Sequence, residues 1–166
     1  MKKLNVLTIA MLLLFQTNTL FAQNHTDDSN YYKDWEGMWY EVVDGKTNEF
    51  PSFVVTKSLY DSSFEEVWMQ GKGGHYGKAW RAFDGRTKKW DFAWISTDGL
   101  FQLWEGKKEN GIWYIYKYFV LDNGEKVLSR QAIIVNDKTH MTRTSEHSRD
   151  EGKTWTLRFT EKFVKK

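Results

Sequence analysis

From Trp35 onward, apolar and polar side chains alternate in short runs, and turn-forming residues separate those runs at nearly even intervals. Trp155-Thr156-Leu157-Arg158-Phe159-Thr160 alternates along its whole length, and Trp90-Asp91-Phe92-Ala93-Trp94 sets three rings on one face. A period of two belongs to the half-buried β-strand, whose successive side chains point to opposite faces. The breaks fall at Asp44-Gly45, Asp61-Ser62-Ser63, Gly71 to Gly74, Asp84-Gly85, Asp98-Gly99, Asn110-Gly111, Asn123-Gly124, Asn136-Asp137 and Asp150-Glu151-Gly152. Asp-Gly and Asn-Gly pairs suit tight hairpins, because such turns need positive φ, which Gly takes freely and Asn or Asp tolerate. Nine turns predict ten strands.

The segments between the turns are rich in Val, Ile, Thr, Tyr, Phe and Trp, as strands are. Pro51 falls at the mouth of the second strand, where its missing N–H costs least. No helical insert long enough for a parallel crossover interrupts the series. The expected fold is therefore all-β, an up-and-down antiparallel β-barrel of about 8–10 strands, closed so that no sheet edge is left exposed. An open or rolled sheet is the rival arrangement. A barrel of this size has an interior able to hold one small ligand.

The N-terminal end changes the picture of location. Met1 to Ala22 read as a signal peptide: Lys2 and Lys3 form the charged start, Leu4 to Phe15 the apolar run, and Leu20-Phe21-Ala22 a cleavage site. The expected organisation is a signal peptide at 1–22, a polar flexible lead-in at 23–33 and a barrel domain at 34–166, with Tyr31 to Trp35 available to fold over one end. A periplasmic or secreted protein without a membrane anchor is the expectation. The chain has no cysteine, which removes both a lipid-modified Cys and any disulfide. The expected leader carries two basic residues and no acidic one, so the rest of the chain balances its charges with histidine neutral. A balanced domain without a dense Lys/Arg stripe gives no reason to expect nucleic acid or an anionic membrane as partner. Aromatic residues make up 17% of the chain, with nine Trp, and that many rings on short strands suggest a lined cavity.

Two stretches carry a family resemblance. Trp35-Glu36-Gly37-Met38-Trp39-Tyr40 resembles the Gly-x-Trp signature that opens the first strand of lipocalins and related calycins. The resemblance implies that Trp39 plugs the closed end of a barrel and packs on a basic side chain from a late strand, with Arg143 or Arg158 as the expected partner. Ser145 to Trp155 resembles the last hairpin of bacterial lipocalin-like families of unassigned function, with His147 and Glu151 departing from their pattern. The same stretch satisfies Ser-x-Asp-x-Gly-x-Thr-Trp from Ser148 to Trp155, the Asp-box of sialidases and other propellers. That motif is a hairpin device, in which the Asp carboxylate accepts loop N–H groups and the Trp packs beneath. A single copy gives no ground for sialidase chemistry. Gly37, Trp39, Asp150 and Trp155 are thus expected to be structural, marking the first and last strands.

Candidates for chemistry are the charged and phenolic groups set among aromatic strands. Arg81, Arg130 and Arg143 are expected to point into the barrel, each needing a partner because an unpaired buried charge is costly. Asp91, Glu105 or Glu146 would supply a structural pair, and a ligand carboxylate is the other option. Tyr114, Tyr116 and Tyr118 alternate with Trp113, Ile115 and Phe119, and either face of that strand could be the interior. With the tyrosines inward, phenols such as Tyr114 and Tyr116 would join Arg130 in a polar-lined aromatic pocket, and Trp94 is a further expected ligand-binding residue. With the Trp113 face inward, the interior is drier.

His25, His75, His140 and His147 show no metal-ligand spacing, and His140 and His147 face opposite sides of one strand. No metal or cofactor is expected. Gly71 to Gly77 lacks the following helix of a phosphate-binding loop, and no nucleophilic triad is visible. The expected function is an exported binding barrel for a small hydrophobic or aromatic ligand. A small lyase or isomerase on the same barrel is the first alternative. A carbohydrate-recognising accessory protein, using surface rings such as Trp68, Trp80 and Trp104, is the second.

Overall fold

In a computed structural model, which describes residues 27–71 and 74–166, eleven strands follow one another in a single antiparallel sheet. They are β1 (Gly37–Val43), β2 (Lys46–Thr47), β3 (Phe53–Lys57), β4 (Ser63–Gln70), β5 (Gly74–Asp84), β6 (Lys89–Ser96), β7 (Phe101–Glu109), β8 (Ile112–Val120), β9 (Lys126–Val135), β10 (His140–Ser148) and β11 (Thr156–Lys165). Ten of them pair in chain order and close when β11 returns to β1, with Trp39 opposite Lys165 and Glu41 opposite Phe163. β2 is a two-residue extension beside the end of β1. The barrel is thus closed, antiparallel and ten-stranded, as the spacing of turns predicts. At two hairpins the turn chemistry is visible: Asp44-Gly45 and Asn110-Gly111 hold positive φ at both central residues. The expected signal peptide and His25 lie outside the described residues, as do Lys72, Gly73 and the His75 side chain.

One end of the barrel is filled. A short 3-10 turn at Asp28–Asn30 leads into Tyr32 and Trp35, both fully buried against Trp90, Phe64 and Arg81. The Trp90 indole N–H donates to the Asp28 carbonyl at 2.7 Å, and Lys108 pairs with the Asp28 carboxylate, so the segment is tied down on two sides. Ordered, packed structure is thus present at Asp28 to Lys33, inside the stretch expected as lead-in. Burial pushes the Tyr32 hydroxyl pKa well above the ordinary phenol range.

Trp39 lies at this end too, fully buried, with its indole N–H on the Trp35 carbonyl at 2.8 Å. The basic side chain over its ring is Lys165, whose Nζ sits 4.9 Å from the ring centroid and donates to the Asp34 carbonyl at 2.6 Å. The expected partners Arg143 and Arg158 are elsewhere. The closing register explains the correction, since it sets Lys165 directly opposite Trp39 and leaves both arginines farther along their strands.

Candidate functional site

Strand alternation fixes which side chains reach the interior. Phe64, Glu66 and Trp68 of β4 face Arg81, Ala79 and Gly77 of β5, which in turn face Phe92, Trp94 and Ser96 of β6. On β8 the inward set includes the buried Trp113, with Ile115 opposite Gln131 and Phe119 opposite Val127 of β9. Trp68, Phe92, Trp94, Trp104, Ile115 and Phe119 surround a cavity of about 370 Å³. Its polar groups are Arg81, Glu66, Gln102, Gln131, Arg143 and Arg158.

Gly77 makes room for one wall. A Cβ there would stand 2.6 Å from the Trp94 ring and from the Ile95 carbonyl, so the absent side chain lets Trp94 lie across β5. Trp68 meets the Trp94 ring edge-on at 6.3 Å, and Trp104 meets Phe92 and Phe119 in the same way.

The floor of the cavity is an ion pair. Arg81 Nε donates to Glu66 Oε1 at 3.2 Å, and the other Glu66 oxygen accepts the Trp68 indole N–H at 2.9 Å. The guanidinium is packed among the Tyr32, Trp35 and Phe92 rings, at 4.7 to 5.2 Å. Its partner is Glu66, not Asp91, Glu105 or Glu146. The strand pattern hides this, because Glu66 is acidic at a position that shares the face of Phe64 and Trp68. An acid on the apolar face of a strand is the signal that would have found it.

Arg143 projects inward from β10 and lies over Trp68 and Phe159. Its Nη1 donates to Glu161 at 3.0 Å and its Nη2 to Gln131 at 3.0 Å. Beyond Trp68 and Arg143 a second, more open cleft of about 470 Å³ is lined by Glu41, Phe50, Glu161 and Phe163. The Glu41 carboxyl pKa is raised, first by burial and then by the neighbouring Glu161, with Arg143 acting the other way.

Arg130, Tyr114 and Tyr116 are not in the cavity. The register of β8 and β9 puts them on the outer face, and the Trp113 face of β8 is the interior, which makes the barrel drier than a tyrosine-lined one. There Arg130 lies over the Tyr114 and Trp155 rings, at 4.4 and 4.0 Å, and pairs with Glu109 at 2.9 Å and Glu146 at 2.6 Å. Burial pushes the Tyr116 pKa up to about 12. Arg130, Glu109 and Glu146 pair with one another outside the barrel and form an outer clasp under the last hairpin.

That hairpin is built as its sequence suggests. Asp150 accepts the Thr154 N–H at 2.8 Å and the Thr154 hydroxyl at 2.6 Å, and the Ser148 hydroxyl accepts the Gly152 N–H at 2.7 Å. These bonds hold the Asp150 carboxyl at a pKa of about 2. Trp155 packs outward against Tyr116.

Of the expected ligand-binding residues, the cavity thus gathers Arg81, Arg143 and Trp94, and leaves Arg130, Tyr114 and Tyr116 outside. The expected sugar-binding rings are also divided: Trp68 and Trp104 line the cavity, while Trp80 is on the outer face at 46% exposure. Among the described residues no three His, Asp or Glu side chains gather in a metal-binding arrangement, and His140 turns outward to Asp137 at 3.1 Å. Glu66, Gln102 and Gln131 are the polar cavity residues missed from sequence, while Trp68, Trp104 and Arg158 were expected in other roles. No known family and no curated protein matches this chain.

Proposed function

We propose that this barrel is an exported binding protein, related in architecture to the lipocalins, that holds a small hydrophobic or aromatic molecule in its interior. The observation that carries the reading is the cavity itself, about 370 Å³ in volume, walled by Trp68, Trp94, Trp104, Phe92 and Phe119 and sealed at one end by Tyr32 and Trp35. Ligand sites are concave, mostly apolar and furnished with a few placed polar groups, and volumes of about 300–1,000 Å³ suit drug-sized molecules. Arg143 and Gln131 supply such polar groups on the wall. The division of the Trp rings also favours a cavity ligand over a sugar-stacking surface, since the row a polysaccharide needs is broken once Trp68 and Trp104 turn inward.

Native mass spectrometry of the protein purified from its own host tests the reading. A small molecule that travels with the barrel and is lost in Gln102→Trp, which fills the cavity, is the expected result. A barrel that is empty from its host and takes up no hydrophobic probe overturns it. N-terminal sequencing of the extracytoplasmic fraction tests export, with cleavage after Ala22 expected.

A further inference from the structure

The three arginines on the cavity wall are not equivalent. Arg81 is buried with Glu66, and Arg143 spends its guanidinium on Glu161 and Gln131. Arg158 is different. Among the described residues its side chain makes a long hydrogen bond, 3.4 Å from Nη1 to the Ser145 hydroxyl, and takes part in no ion pair.

Its place in the wall is itself unusual. In a regular strand Arg158 would point outward, alternating with Phe159. The β10–β11 register slips between Ser145 and Glu146, so that Ser145 faces Phe159 and Glu146 faces Leu157, with Arg158 as the extra residue. A bulge of this kind bends the strand and re-aims a side chain. Here it brings Arg158 to the cavity wall next to Phe159, at the rim, where the residue is solvent-exposed. The extra residue thus delivers to an aromatic cavity a guanidinium that no acid among the described residues neutralises.

We infer that the occupant of the cavity is an organic anion, a flat apolar or aromatic skeleton bearing one carboxylate, and that Arg158 receives the carboxylate. This rests on the reading of the barrel as a binding protein and names the class of its ligand. A guanidinium presents a planar fork of donors that matches a carboxylate in a bidentate way, and the Ser145 hydroxyl lies within reach of the same group. The apolar part then extends inward between Trp94 and Trp104 toward the Arg81–Glu66 floor, which is already neutral and offers no second anion seat.

The test uses a matched pair of probes, 2-naphthoate and 2-naphthamide, which share a skeleton and differ in charge, titrated into the protein by calorimetry. The expected result is a preference of about tenfold or more for naphthoate, lost in Arg158→Met through weaker naphthoate binding alone and partly restored in Arg158→Lys. Equal affinities in the wild type, or a preference that survives in Arg158→Met, overturn the anion seat while leaving a binding barrel. Binding of neither probe, by a protein that also comes empty from its host, overturns the cavity reading and this inference with it.

Discussion

Arg81 and Glu66 form an ion pair 3.2 Å apart in which neither side chain has more than 3% of its surface in solvent. Two charges removed this far from water repay their desolvation only while both are present. Arg81→Met strands the carboxylate of Glu66 beneath the Tyr32 and Trp35 plug, and should cost about 3–5 kcal/mol in urea unfolding. Arg81→Met combined with Glu66→Leu removes both charges and should recover most of that loss. A single variant within about 1 kcal/mol of the wild type would mean that water or a rearranged partner reaches Glu66.

The wall beside this pair depends on Gly106. A Cβ on Gly106 would stand 1.6 Å from the Trp90 carbonyl oxygen, and the Gly106 N–H donates to Asp91 at 3.0 Å. The obstacle is backbone and has no rotamer to yield. Gly106→Ala should therefore destabilise the barrel by about 3 kcal/mol or more, at the upper end of what overpacking costs. Gly85→Ala, where no atom lies within 4 Å of the added carbon, should stay within about 0.5 kcal/mol. Thermal unfolding followed by tryptophan fluorescence separates the two, and equal midpoints would contradict the packing argument.

These sites show where the sequence was legible. Turn chemistry and alternation are local properties, so strand number, closure of the Gly37–Trp39 strand and the Ser148–Trp155 hairpin could be read directly. Which face points inward is not local. It depends on which neighbours a strand meets, and β8 carries rings on both faces, so Tyr114 and Trp113 competed on equal terms until the register with β9 was known. The partner of Arg81 and the opposite number of Trp39 are likewise set by pairings between distant segments. The place of Arg158 on the cavity wall was hidden for a further reason. Perfect alternation from Trp155 to Thr160 implies an outward Arg158, and a bulge leaves no trace in such a pattern.

The last hairpin should be sensitive to acid. Hydrogen bonds donated to the Asp150 carboxylate by Thr154 first, and then by Ser148, hold its pKa at about 2, below its ordinary value of 3.8. A carboxyl depressed on folding contributes stability that is fully present above the unfolded pKa and is lost as pH falls through the folded one. The hairpin should thus weaken between about pH 4 and pH 2. Asp150→Asn should show the weakened hairpin already at pH 7 and flatten the acid dependence in that window. Amide exchange at Gly152 and Thr154 is the measurement, and an acid limb unchanged by Asp150→Asn would place the titrating group elsewhere.

His147 offers a readout of the charge beside it. Its pKa is lowered, first by burial and then by the nearby positive charges of Arg158 and Arg149. Burial and a neighbouring cation both disfavour the imidazolium, but only the second can be removed without unpacking His147 itself. Arg158→Gln should accordingly raise the His147 pKa part of the way to its ordinary value, followed by NMR of the imidazole protons, and Arg149→Gln should raise it by less, since Arg149 is the smaller cause. The linkage has a sign. A histidine whose pKa is depressed on folding opposes folding as it gains its proton, so stability falls as pH drops from the unfolded pKa of His147 toward the folded one, and Arg158→Gln should narrow that window. An unmoved His147 titration in Arg158→Gln would mean that the guanidinium is already neutralised by an anion or screened by solvent, and repeating the titration with the barrel stripped of small molecules distinguishes the two.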